Sequence, residues 1–327
     1  MIDDIRKLFD DTTGAEGAAD AWVRPYLPDG DASQHQFVLF LKPEATAVKE
    51  GVNLNAILEV VFEEFNRFSV EINAIRILNG DYLADHHIMD QHYGVINAIS
   101  KQGVDAISTG AKQRLQEIHG DAIDAGAVVL GAHQFLDAYP AFNAISLCSI
   151  NDTLGTQKLA GGTYCLRLDV LGDPVIILNP FHPYQLVPYT TSGTGIIVME
   201  GRSATSWKDL REKLTGATDP TKGPEDSIRG KLLSNASSLG LKSVTQGTNG
   251  IHLSAGPLEG MVELRRFFEV QDTLFSQLMT QHGIAAERIE ELAANCNIDT
   301  ANGPESAFDL TEEVDAAQAV SRLSEDA

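Results

Sequence analysis

Five consecutive apolar residues, Phe37 to Leu41, are bounded on both sides by polar ones. A short continuous run of this kind predicts a strand buried on both faces. It ends in Lys42-Pro43-Glu44-Ala45-Thr46. From Leu54 to Phe68 the apolar positions 54, 57, 58, 61, 62 and 65 repeat with a helical period, and Asn53 stands at the N-cap. Val70, Ile72 and Ala74 alternate as in a half-buried strand, and the alternation slips by one after Ala74, which predicts a bulge. Asp81 to Tyr93 reads as a second helix. Val104 to Ile118 fits a helix, and Thr163 to Leu178 reads as two strands around the turn Leu171-Gly172-Asp173-Pro174. Gly195 to Met199 is a further strand and Trp207 to Leu214 a short helix. A long polar loop, Gly216 to Gly230, follows; inside a compact domain such a loop is usually functional. Ile251 belongs to a short strand, Pro257 to Phe268 to an amphipathic helix, and Gln271 to Asn295 reads as helical.

The chain has 327 residues, a length expected for about two domains. Its formal net charge of -22 argues against non-specific binding to nucleic acid or to an anionic membrane, since the long-range field repels both. Part of that charge is terminal. Residues 1–35 carry eight acids against Arg6, Lys7 and Arg24, and residues 304–327 carry seven against Arg322. Both ends are expected to be solvated or peripheral, including a turn in Leu27 to Asp31. Cys148, Cys165 and Cys296 have no metal-type spacing and read as reduced thiols of a cytoplasmic protein. No apolar run reaches the roughly 18 residues that a membrane span needs, and the first residues hold no signal-type apolar core.

One histidine stands out in the stretch Thr248 to Glu263. His252 sits among small and polar residues, with Asn249 three positions before it, Ser254 two after it, and Glu263 eleven after it on the predicted helix. On pattern alone this is either a loop histidine on a strand-to-helix turn or an imidazole oriented by a carboxylate for nucleophilic work. A second histidine-rich stretch, Asp85 to His92, places His86 and Asp90 one helical turn apart. A polar helix face is the better reading than a shared ion, and no metal site is assigned to it. Ala160-Gly161-Gly162-Thr163 reads as a turn and not as a phosphate loop, because no lysine-serine pair follows.

Ordered blocks of the chain resemble the nucleoside diphosphate kinases. FVLFLKPEAT is similar to that family's first strand and its lysine-proline-acid-alanine motif. LVPYTTSG and GIIVMEG resemble its turn and following strand, GATDP and SIRG its active-site loop, and NGIH its nucleophile motif. The resemblance implies an α+β fold, a ferredoxin-like α/β plait with a four-stranded antiparallel sheet, plus an inserted subdomain. It would divide the chain into an extension (1–35), a kinase-like domain (36–93 and 179–269), an insert with a β-hairpin (94–178), and a helical, acidic C-terminal extension (270–327).

The resemblance also implies roles. His252 would carry the phosphoryl group in ping-pong transfer from a nucleoside triphosphate such as ATP to a nucleoside diphosphate. Glu263 would orient it, and Lys42 would meet the transferring phosphate. Thr218 and Arg229 would bind the outer phosphates and Asn249 the sugar or phosphate oxygens, with Ser254 retained beside the nucleophile. Arg211 is the candidate for a further phosphate contact, although it lies one residue too far from Gly216, and Lys213 is its rival. Ile88 and either Phe181 or Tyr184 fall at the positions of the base clamp. Mg²⁺ would arrive on the nucleotide phosphates, because Ala255 stands where the family has a metal-supporting acid. Leu253 replaces a glycine. A symmetric homo-oligomer is the expected assembly. Two other readings are a non-catalytic nucleotide- or partner-binding protein on the same fold and a histidine phosphocarrier.

Overall fold

The computed structural model describes residues 1–28, 30–31, 34–301 and 303–324. The turn expected in Leu27 to Asp31 includes Asp29, which lies outside the described residues. Among the described residues the strands, in chain order, are β1 (Asp20–Arg24), β2 (His35–Leu41), β3 (Glu71–Asn79), β4 (Val128–Gly131), β5 (Gln157–Ala160), β6 (Thr163–Val170), β7 (Asp173–Leu178), β8 (Gly195–Ser203), β9 (Ile251–Leu253), β10 (Asn297–Thr300) and β11 (Gly303–Ser306). The fold is mixed α/β. The chain divides into two compact units, Met1–Asp85 with Ser192–Ala327, and His86–Thr191.

In the first unit the sheet order is β1-β3-β8-β2-β9 and every pair is antiparallel. β2 is buried at all seven positions, as its continuous apolar run requires. Phe37, Leu39 and Leu41 face a core built with Leu54, Ile57, Leu58, Val61 and Phe65 of the helix Leu54–Arg67, which Asn53 caps by accepting from the Ala56 N–H at 3.2 Å. Because side chains alternate across a strand, Phe40 points to the opposite face. There it meets Phe267 of the helix Pro257–Phe268, with ring centroids 5.4 Å apart. The bulge in β3 falls between Ile72 and Ala74, slightly earlier than the slip in apolar pattern suggests.

Residues 1–35, expected outside the domain, supply a fifth strand and part of the core. Ile5 and Phe9 of the helix Ile2–Thr13 belong to the main cluster, and β1 pairs with β3 from Asp20↔Leu78 to Arg24↔Ile75. The reason is visible at Arg76. Its 5% exposed side chain donates to Asp20 Oδ2 (2.9 Å), the Phe267 carbonyl (2.9 Å), Tyr82 Oη (2.9 Å) and Glu269 Oε1 (2.8 Å), and it lies 5.0 Å from the Trp22 ring. A buried guanidinium needs all of these partners, and β1 provides two of them. Phe275, Met279, Ile289, Leu292, Ile298, Val320 and Leu323 form a cluster with Leu258 and Met261.

The helix expected over Asp81 to Tyr93 is two helices, Gly80–Asp85 and Ile88–His92. They are separated at His87, whose φ of 51° ends α geometry. The second unit has its own sheet, ordered β4-β7-β6-β5, in which β4 runs parallel to β7. The expected hairpin is β6–β7, closed by Leu171 and Gly172, both at positive φ, as a two-residue hairpin turn requires. The expected helix over Val104 to Ile118 is Thr109–Asp124, capped by Ser108. No helix among the described residues is long and apolar enough to cross a membrane.

The Arg76 cluster yields a prediction. Arg76→Met leaves the Asp20 carboxylate and the Phe267 carbonyl without their donor, so it is expected to lower stability by about 2–4 kcal/mol. Urea unfolding followed by fluorescence measures this, Trp22 on β1 being one of the two tryptophans. A loss below about 1 kcal/mol would show that β1 is held by something else.

Candidate functional site

β9 is three residues long and forms one edge of the sheet, paired to β2 with Phe40 opposite His252. Gly250 leads into it at φ +79°; a Cβ there would come within 2.6 Å of Leu232 Cδ1. Its N–H donates to Glu44 Oε1 at 3.0 Å, and its carbonyl accepts from the Lys42 N–H at 2.9 Å. Ile251 and Leu253 are fully buried in the main core, so alternation turns His252 to the other face, against the helix Pro257–Phe268. The carbonyls of Ile251 and Leu253 point away from β2. Each is capped by an arginine: Arg229 Nη2 reaches Ile251 O at 3.0 Å and Arg211 Nη1 reaches Leu253 O at 2.8 Å. The edge strand thereby holds two guanidinium groups on either side of the histidine.

Glu263 projects from the helix into the sheet and is fully buried. The helix lies close because Gly260 packs on the Gln36 carbonyl, which a Cβ would approach to 3.1 Å. Glu263 Oε1 and His252 Nε2 are 2.6 Å apart, and Ser254 Oγ donates to Glu263 Oε2 while accepting from the Val38 N–H at 2.9 Å. A carboxylate accepts only, so Nε2 carries the proton and Nδ1 carries the lone pair of the neutral ring. The His252 side chain is 18% exposed. Burial holds its pKa well below the usual value near 6.5, and the charges of Arg211, Lys42, Arg229 and Arg266 push in the same direction. The imidazole is therefore neutral at pH 7, the form able to attack.

Lys42, at the end of β2, donates to Asn249 Oδ1 at 2.8 Å. Asn249 in turn donates to the carbonyls of Thr218 (3.0 Å) and Gln246 (3.2 Å), joining the histidine loop to the GATDP loop. Burial brings the Lys42 ammonium down to about 8, against the opposing pull of Glu44 and with help from Arg229. Arg229 is 5% exposed and donates to Gly216 O at 2.8 Å. Arg211 touches β9, whereas Lys213 is exposed and pairs with Asp209 at 2.9 Å. Leu210–Thr215 form a π-helical turn, closed by the i→i+5 bond of the Gly216 N–H to Arg211 O at 3.1 Å.

His252, Glu263, Ser254, Lys42, Asn249, Arg211 and Arg229 are thus brought together, and Thr218 contributes its carbonyl. Ile88, Phe181 and Tyr184 belong to the second unit. There Ile88 is buried and Phe181 packs edge-on against Tyr164 at 5.7 Å. Asp90 is engaged by Asn97 at 3.1 Å and Lys101 at 3.2 Å. Several residues escaped the sequence reading. Glu44 holds Gly250. Glu259 accepts from the Ala255 N–H at 3.2 Å, and its pKa is pushed up to about 8 by burial and then by Glu263; its place one helical turn before Glu263 was the available signal. Glu312 and Glu313 lie 3.8 and 3.7 Å from Arg211, and the Glu313 N–H donates to Ala255 O at 2.9 Å. No sequence signal ties residues so far along the chain to Arg211.

No family model matches the chain, and no curated protein matches it. A solved structure to which it is similar is that of an NDP kinase from Pyrobaculum aerophilum, with 19% identity over 72% of this chain and 96% of that one, at a TM-score of 0.36.

The depressed His252 sets a pH dependence of stability. Unfolding returns the ring to a pKa near 6.5, so below that pH the unfolded chain binds a proton that the native chain refuses. Stability contributed by this group is full above about pH 6.5 and is lost as pH falls further. Equilibrium unfolding from pH 5 to 7.5 should show a shallower slope for His252→Gln than for the unsubstituted chain; equal slopes would mean that the native ring titrates normally.

Proposed function

We propose that this chain transfers the γ-phosphoryl group of a nucleoside triphosphate to a nucleoside diphosphate through phosphohistidine at His252, as nucleoside diphosphate kinases do. The observation that carries this is the neutral His252 imidazole, tied at Nε2 to a buried Glu263 and surrounded by Lys42, Arg211 and Arg229. The ordered sequence blocks support it. The antiparallel strand order β3-β8-β2-β9, with β1 outside β3, is consistent with the plait that the resemblance implies. A net charge of -22 makes the local convergence of cations more telling, since nothing in the overall composition would collect them there.

In the first half-reaction Nδ1 of His252 attacks the γ-phosphorus, and the bond to the β,γ-bridging oxygen breaks with its electron pair leaving on the diphosphate. Nε2 keeps its proton on Glu263, so the positive charge that develops on the ring is spread toward a carboxylate. Lys42 and Arg229 stabilise the transferring and outer oxygens, Arg211 a further one, and Asn249 and Thr218 align the loop that carries them. In the second half-reaction a terminal oxygen of another nucleoside diphosphate takes the phosphoryl group back from nitrogen. Mg²⁺ enters as part of the substrate; Ala255 offers it no carboxylate.

The carboxylates of Glu312 and Glu313 favour a second reading, a nucleotide- or partner-binding protein in which Arg211 is kept occupied. The magnitudes weigh against it. Both acids are 40% or more exposed and sit beyond hydrogen-bond distance of Arg211, and each such pair contributes about 0–1 kcal/mol. Substrate phosphate is able to displace them.

Three expectations follow from this assignment. Incubation with γ-labelled ATP labels the chain at an acid-labile bond, GDP or CDP discharges the label, and His252→Ala takes none up; label that persists on His252→Ala refutes the assignment. Retention without discharge identifies a phosphocarrier. Lys42→Ala is expected to lower kcat by roughly 100-fold in steady-state assays. The double variant Glu312→Gln, Glu313→Gln should lower KM for the nucleotide by about 2- to 10-fold, whereas a raised KM would make the two acids part of the binding site.

A further inference from the structure

Phe40 is a fully buried aromatic residue whose ring lies on the imidazole of His252, with centroids 4.6 Å apart and planes inclined by only 19°. The two residues are cross-strand partners on β2 and β9, and they share the sheet face that is covered by the helix Pro257–Phe268. Phe267 of that helix also packs on the Phe40 ring, with centroids 5.4 Å apart and planes inclined by 52°. Burial alone does not ask for this arrangement. An aliphatic side chain would exclude water from the same space, but it presents no plane for a second ring to lie on.

Resting on the phosphotransfer reading, we propose that Phe40 is a positioning residue for His252: its ring fixes the plane of the imidazole, so that Nε2 stays on Glu263 and Nδ1 stays aimed at the phosphoryl group. The Cβ–Cγ bond and the hydrogen bond to Glu263 hold two ends of the ring, and the stacked phenyl face bears on the tilt of its plane. Together they define the direction of the Nδ1 lone pair, and misalignment of the attacking atom is costly in rate. Phe40 touches neither substrate nor the transferring group, so its effect passes through His252.

The test is ¹⁵N-histidine NMR of the full chain, with His252 assigned through His252→Gln, alongside steady-state kinetics. The unsubstituted chain is expected to show one neutral tautomer at His252, protonated at Nε2. Phe40→Leu is expected to show exchange-averaged ring nitrogens, with kcat lowered at least 10-fold and KM within 2-fold. Phe40→Met, closer in volume, gives the same readout if Phe40→Leu does not fold, and Phe40→Tyr restores both the single tautomer and the rate. An unchanged tautomer and kcat in Phe40→Leu or Phe40→Met overturns the proposal. A wild-type chain that transfers no phosphoryl group while its His252 tautomer still depends on Phe40 overturns the phosphotransfer reading and supports the ring lock.

Discussion

A carboxylate with no exposure to water is expensive to bury unless every lone pair is used, and Glu263 shows how this chain meets that demand. One oxygen accepts a hydrogen bond from the His252 Nε2–H and the other from the Ser254 hydroxyl. Satisfying Glu263 requires the helix Pro257–Phe268 to stand close over β9, which Gly260 permits, and requires β9 to be in register with β2. Those conditions place His252 opposite Phe40 and bring the ends of three separated segments, at Lys42, Arg229 and Arg211, to the same edge. The fold around the histidine can be understood as the set of contacts that make a buried Glu263 tolerable.

The electrostatics follow from that placement. Four cationic side chains lie near His252, and they depress its pKa in addition to burial. The cations are themselves restrained by backbone carbonyls: Arg229 by Ile251 and Gly216, Arg211 by Leu253. A carbonyl satisfies a donor without cancelling its charge, so these bonds fix both guanidinium groups in space with their charge retained, and Arg211 in addition lies beside Glu312 and Glu313. The Glu259 carboxyl, raised to about 8, shows the same environment from the other side, since a second negative charge beside Glu263 is disfavoured there.

The peripheral segments are less peripheral than their composition indicates. β1 completes the sheet because Arg76 is buried and must be paired, and the C-terminal helices cover the outer face of the helix that carries Glu263. Their acidity reflects their solvent side; the few apolar positions between the acids decide where they pack.

Periodicity and spacing by themselves determined the strands through Phe37 to Leu41 and around Gly195 to Met199, the helix capped by Asn53 and the β6–β7 hairpin. These rest on local rules, alternation, helical period and turn chemistry, that act within a few residues. Tertiary structure alone decided the rest. That Phe40 faces His252 depends on register between strands more than 200 residues apart, and that Arg211 and not Lys213 reaches β9 depends on a π-helical turn. The addition of β1 and the arrival of Glu312 and Glu313 at Arg211 depend on burial elsewhere. In each case the partner is distant in sequence, and a contact set by packing leaves no periodic trace in either segment.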